Sequence, residues 1–109
     1  NAGGKAHLRS GLKKKITPDE YAAMIVLFAH WCSKCNMMMP VVDEIEEVYK
    51  EQLEVVRIDI EKETEIAKDY SIQIVPTFVI MKQGNEVMRM AGIIGEEILK
   101  KRIEAVIGK

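Results

Sequence analysis

Met24 to Phe28 reads Met-Ile-Val-Leu-Phe, an apolar run with no polar break. A strand that is wet on one side alternates polar with apolar residues. An unbroken run that ends in a polar turn suits a strand buried on both faces of a sheet. Covering both faces takes helices on each side, which points to an α/β architecture. With 109 residues the chain has length for one such domain.

The remaining elements follow from local signals. Leu12 to Ile16 reads as a short edge strand whose Lys13 to Lys15 discourage pairing with other chains. Thr17-Pro18-Asp19-Glu20 is a helix start with Thr as cap, Pro in the first turn and Glu completing a capping box. A helix is predicted from Cys32 to about Glu51, with Val42, Ile45 and Val48-Tyr49 toward the core and Pro40 as an internal kink. Val55 to Ile60 reads as a strand expected to be central, and Glu63 to Tyr70 as a short helix. Thr77–Met81 and Glu86–Met90 flank Gly84-Asn85 as a hairpin. The last helix is predicted over Glu96–Ile107, with Ile98, Ile103 and Ile107 as its apolar stripe. The order β-α-β-α-β-α-β-β-α gives a mixed sheet of five strands, or four if Leu12–Ile16 does not pair. Residues 1–10 read as a flexible lead-in, in part an appended sequence, and residues 11–109 as the domain.

Charge narrows the function classes. Lys and Arg number 16 against 17 Asp and Glu, a formal net charge of −1. That balance offers no basic stripe for nucleic acid or an anionic membrane. No apolar stretch approaches the ~20 residues that span a bilayer, and no secretory signal is visible. A protein-facing surface is the expectation.

Only two cysteines occur, Cys32 and Cys35, at the junction between the buried strand and the following helix. A bridge this local would constrain little of the unfolded chain, so the pair reads as chemistry more than as a staple. A thiol at a helix start meets unpaired N–H groups and the positive end of the helix dipole, both of which favour thiolate. Cys32 is then the nucleophile, and Cys35 one turn later is placed to resolve a mixed disulfide. Zinc is the rival use of such a pair. It needs four ligands, and only His7 and His30 could supplement the cysteines. No metal is assigned, and redox chemistry is preferred.

Phe28-Ala29-His30-Trp31-Cys32-Ser33-Lys34-Cys35, Pro40, Ile74-Val75-Pro76-Thr77, Gly84 and Gly92 together resemble the thioredoxin family, over nearly the whole chain from Leu12. The resemblance implies a thioredoxin fold with Pro76 as a cis-proline opposite the cysteines. It further implies that Val75 pairs with an extended substrate segment, that Trp31 lines the site, and that Gly92 permits close approach. Dithiol–disulfide exchange on protein substrates is the activity it implies. The cysteines themselves would carry the electron pair, with no bound cofactor, and a thioredoxin-reductase-like or membrane electron donor would be the partner of a monomer.

Two departures from the family pattern bear on chemistry. The residues between the cysteines are Ser33-Lys34 instead of Gly-Pro, which frees one more N–H and adds a cation. Both changes should lower the Cys32 pKa and make the protein more oxidising. Val26 stands where the family has a buried Asp that accepts the proton of the second cysteine. Arg57 and Asp59, on one face of their strand, are candidate replacements, expected mainly as an ion pair near the site. His30 is a candidate to tune the thiolate, because imidazole changes charge near neutral pH. Met37-Met38-Met39 read as core packing plus one exposed methionine.

The expected function is therefore thiol–disulfide exchange in the cytoplasm. An extracytoplasmic oxidant or isomerase and a non-enzymatic peptide-binding module are the alternatives.

Overall fold

The computed structural model describes residues 22–108. The expected strand at Leu12–Ile16, the helix start at Thr17 and the lead-in of residues 1–10 lie outside those residues. Within them the order is β1 (Ala22–Phe28), α1 (Ser33–Val48), β2 (Leu53–Asp59), α2 (Thr64–Asp69), β3 (Thr77–Lys82), β4 (Asn85–Ala91) and α3 (Glu96–Ile107).

Four described strands form one mixed sheet in the order β2-β1-β3-β4. β1 is parallel to β2 and antiparallel to β3, and β3 is antiparallel to β4. The apolar run is buried on both sides. Ala22, Met24 and Val26 face one core with Met38, Val42, Ile45 and Tyr49 of α1 and its end, and with Leu99 and Ile103 of α3. Ala23, Ile25 and Leu27 face a second core with Ile58, Ile66, Tyr70 and Val79. Complete burial of side chains such as Phe78 and Leu99 contributes about 1.5–3 kcal/mol each.

Several expected boundaries move for identifiable reasons. β1 starts at Ala22, because two alanines extend the buried run without breaking it. α1 starts after Cys32, which is its N-cap, and stops at Val48 because Tyr49 turns the chain toward β2. Val48 is exposed, and Tyr49 takes the core position. The hairpin turn is Gln83-Gly84, both at positive φ, with Asn85 already in β4. This is the backbone a two-residue turn between twisted strands requires. A register shift at Ile80/Met81 then leaves Val87 unpaired and exposed.

α3 occupies the predicted residues and ends on Gly108 in the left-handed region. Its buried stripe is Leu99 and Ile103, four apart, with Val106 and Ile107 alongside. Ile98 points outward, since a five-residue step from Ile98 to Ile103 leaves the helix face.

β2 begins at Leu53, two residues before the expected start, and among the described residues it pairs with β1. Because β1 and β2 run parallel, the loops that follow them emerge side by side at the same edge. Those two loops build the site.

Candidate active site

Cys32 caps α1. Its backbone is extended (φ −93, ψ 112), and its Sγ accepts the Cys35 N–H at 3.2 Å, as a cap side chain should. Its carbonyl accepts the Asn36 N–H at 3.2 Å, the first bond of the helix. Across the site, Cys32 Sγ–H points to the Val75 carbonyl oxygen at 3.6 Å. Both thiols are free. Cys32 retains 7% exposure and Cys35 none, so only the first can meet a substrate.

The two thiols are pushed in opposite directions. Burial resists ionisation of Cys32, but hydrogen bonds from the Cys35 thiol, the Cys35 N–H and the Lys34 N–H, with the Lys34 charge, outweigh it. The net effect holds Cys32 below the ordinary thiol range. Burial, and the bond its thiol makes to Cys32, push Cys35 up to about 11. The sulfur that ionises first is the one that can be reached.

Ala29 packs against both cysteines, with Phe28, Ile60 and Val75 closing the apolar wall. The Val75–Pro76 peptide bond is cis. Gly92 N–H donates to the Pro76 carbonyl at 2.8 Å. Gly92 itself has φ +88, and a Cβ built there would meet nothing within 4 Å, so the surface at that point is low and open. Trp31, Ile74 and Ile93 are exposed large apolar residues, at 67%, 56% and 50%. Ser33 and Lys34 are exposed on the first turn of α1. Met38 is buried and Met37 exposed on the next turn.

Val26 is fully buried in the core under α1, an apolar residue throughout. Arg57 is not brought to the cysteines. Its Nη1 and Nη2 donate to Glu46 and Asp43 of α1 at 2.8 and 2.7 Å. Asp43 is eleven residues beyond Cys32, ~16 Å along the helix axis. The expected Arg57–Asp59 ion pair is thus absent from the contacts of both residues: two nearer carboxylates take the guanidinium.

Asp59 is brought to the site, through His30. His30 Nε2 lies 3.1 Å from Asp59 Oδ2, with the carboxylate nearly buried and the imidazole 70% exposed. The ring also stands edge-on to Phe28, with centroids 5.4 Å apart. Asp59 Oδ1 accepts the Glu61 N–H at 2.9 Å. Glu61, which the sequence reading missed, accepts the Trp31 Nε1–H at 2.7 Å. The available signal was the parallel register: if the chain after β1 carries the cysteines, the residues just after β2 must border them.

Among the described residues no three His, Cys, Asp or Glu side chains gather where they could hold a metal ion. None of the described helices is long and apolar enough to cross a membrane.

A reactive thiol capping a helix, a buried second thiol one turn on, and a proline-bounded strand opposite them define a dithiol site on a thioredoxin fold. The family model for thioredoxin matches residues 6–105, and the chain belongs to that family. A thioredoxin-like protein of Synechocystis is 38% identical over 88 residues, covering 81% of this chain and 77% of that protein. The chloroplastic thioredoxin Y of Oryza sativa is 33% identical over 98 residues, covering 90% of this chain. The chain spans 58% of the length of that relative. The X-ray structure of Fasciola hepatica thioredoxin superposes with a TM-score of 0.80 at 29% identity, over 92% of this chain and 91% of that one.

Proposed function

We propose that the protein exchanges its Cys32–Cys35 dithiol with disulfides in protein substrates. The observation that carries this reading is the Cys32 sulfur at the head of α1, hydrogen-bonded by the Cys35 N–H at 3.2 Å, with the Cys35 thiol closed off beneath it.

The Cys32 thiolate attacks one sulfur of the substrate disulfide. That S–S bond breaks, a bond from Cys32 to the substrate forms, and the departing substrate thiolate takes up a proton. Cys35 then loses its proton and attacks Cys32 Sγ. The mixed disulfide breaks, and its electron pair leaves on the second substrate thiolate. Two electrons and two protons pass to the substrate, and Cys32–Cys35 becomes the disulfide. The cysteines are the only electron carriers this cycle needs. A reductase of the thioredoxin-reductase kind, or a membrane donor, returns the pair.

A substrate segment lies extended along Val75, exchanging backbone hydrogen bonds with it. Trp31, Ile74 and Ile93 supply apolar contact beside it, and Gly92 leaves the segment room. In a reducing, cytoplasmic compartment the net direction is reduction of the substrate. The Lys34 charge and the unblocked N–H groups at Ser33-Lys34 favour the second reading, an extracytoplasmic oxidant or isomerase, because they stabilise the reduced form.

Insulin reduction separates these readings from plain peptide binding. Wild type accelerates it, Cys32→Ser abolishes the acceleration, and Cys35→Ser accumulates a mixed disulfide visible by mass spectrometry. Equal behaviour of wild type and Cys32→Ser would leave only a binding role. A redox potential set against glutathione buffers then distinguishes reductant from oxidant.

A further inference from the structure

The segment from Tyr70 to Pro76 carries the Val75 carbonyl that faces Cys32, yet it lies in no helix or strand. Its near end is a helix stop. The Ser71 N–H donates to the Lys68 carbonyl at 2.9 Å, and the Ile72 N–H to the Ala67 carbonyl at 3.3 Å. These bonds close α2 around Ser71, which stands at φ +54, a left-handed backbone that costs serine more than glycine. Such a residue stays there only when its surroundings hold it. The far end is held by β4, through the Gly92 N–H on the Pro76 carbonyl at 2.8 Å.

Arg89, three residues before Gly92 on β4, holds the near end. Its Nη1 donates to the Tyr70 carbonyl at 2.7 Å, one residue before the strained Ser71. The last carbonyls of a helix have no partner within it and attract a cation. The guanidinium is itself fixed by Glu86, with Nε donating to Oε2 at 2.8 Å and Nη2 to Oε1 at 2.9 Å. Two parallel bonds of this kind set the plane of the group as well as its place. Residues three apart on a regular strand would face opposite sides. The register shift at Ile80/Met81 removes that obstacle, putting Arg89 opposite Val79 and Glu86 opposite Met81, which share the face of the second core.

We propose that Arg89, oriented by Glu86, is a positioning residue for the Val75 backbone: it clamps the Tyr70 end of segment 70–76 to β4 and so sets the affinity for polypeptide disulfides. The substrate role rests on the disulfide exchange proposed above; the clamp itself does not.

Amide hydrogen exchange read by NMR tests the clamp without a substrate. In Arg89→Ala the Gly92 N–H, at the opposite end of the segment, should quicken roughly tenfold more than the Ile25 N–H of β1, whose change reports global stability. A merely stabilising arginine would quicken both alike. The insulin KM of Arg89→Ala should rise roughly three- to tenfold, because a loose segment must be ordered on binding. Its kcat/KM for dithiobis-nitrobenzoate, a small disulfide with no chain to lay along Val75, should change less. Arg89→Lys, which keeps one donor for the Tyr70 carbonyl, should recover part of both effects. Glu86→Ala should act in the same direction and add nothing once Arg89 is alanine, since it works through the guanidinium. If Arg89→Ala does not fold, Glu86→Ala and Arg89→Lys are judged by the same amide and KM measurements. Equal quickening at Gly92 and Ile25, an unchanged insulin KM, or a Glu86→Ala effect that persists in full beside Arg89→Ala overturns the proposal. A wild type inactive on both disulfides would overturn the disulfide-exchange reading instead, leaving the amide rates to judge the clamp.

Discussion

Cys35 serves Cys32 twice over: its N–H and its thiol both bond the Cys32 sulfur, and each favours the ionised form of that sulfur. The favour is not returned, because the same thiol contact and the burial beneath Cys32 keep Cys35 protonated, with a pKa of about 11. The pair is thus ordered before any substrate arrives. One sulfur is charged and reachable, and the other is neutral and covered. Four expectations follow from this asymmetry and its surroundings.

The first concerns pH. Cys32 lies below the ordinary thiol range, so at pH 7 it should be alkylated faster than free cysteine, with a rate that levels off below the range where free thiols ionise. Cys35 should remain unmodified in the same reaction. Resolution requires the Cys35 thiolate, so the rate at which a preformed mixed disulfide closes should rise with pH toward about 11. Stopped-flow release of a chromogenic thiol measures this step. A closure rate flat from pH 6 to 9 would contradict the protonated resting state of Cys35.

The second concerns Lys34. Lys34→Pro removes both an N–H bond to Cys32 and a cation, whereas Lys34→Gln removes the cation alone. Both should raise the Cys32 pKa and shift the potential to more reducing values, with the proline change larger. The exposed lysine acts through solvent, so its charge contributes modestly. A shift of about 10–30 mV is the expected scale for Lys34→Pro, given about 30 mV per 1.4 kcal/mol. Equilibration with glutathione buffers reads it, and a potential at or above wild type would refute it.

The third concerns Val26, which is fully buried among apolar neighbours. Val26→Asp places a carboxyl there without a partner and should lower stability by roughly 2–5 kcal/mol in urea unfolding. If the variant folds, the new carboxyl stands at the position where the family carries the proton acceptor of its second cysteine. Mixed-disulfide closure near pH 7 should then quicken relative to wild type. A variant as stable as wild type would mean that water reaches Val26.

The fourth concerns Gly92. At φ +88 an L side chain is strained even though a Cβ would strike nothing. Gly92→Ala should cost about 1 kcal/mol of stability through backbone strain alone. Its insulin KM should rise as well, since the added methyl stands where a substrate would lie. A thermal melt superposable on wild type would exclude the strain argument.

Much of this arrangement was legible in the residues themselves. The unbroken run at Met24–Phe28 announced a strand covered on both faces, and the cysteines directly after it announced a thiol at a helix head. Those signals are local, and they hold. Ile98 misled because a stripe is a matter of which neighbour the helix meets, and Leu99 meets β1 and β3 instead. Arg57 misled for a similar reason. Alternation correctly put it on the same face as Asp59, but α1 brings two carboxylates to that face, and no spacing within β2 reveals them. Glu61 escaped notice because its role exists only once two loops distant in sequence are set side by side.

The stretch from Ala29 to Cys35 hangs between two anchors of unequal kind, a strand sealed in the core on one side and the body of a long helix on the other. Neither anchor depends on what occupies positions 33 and 34, which face solvent. Those two residues therefore behave as an interchangeable cassette: grafting another dipeptide there retunes the electron affinity of the pair without asking the scaffold to rearrange.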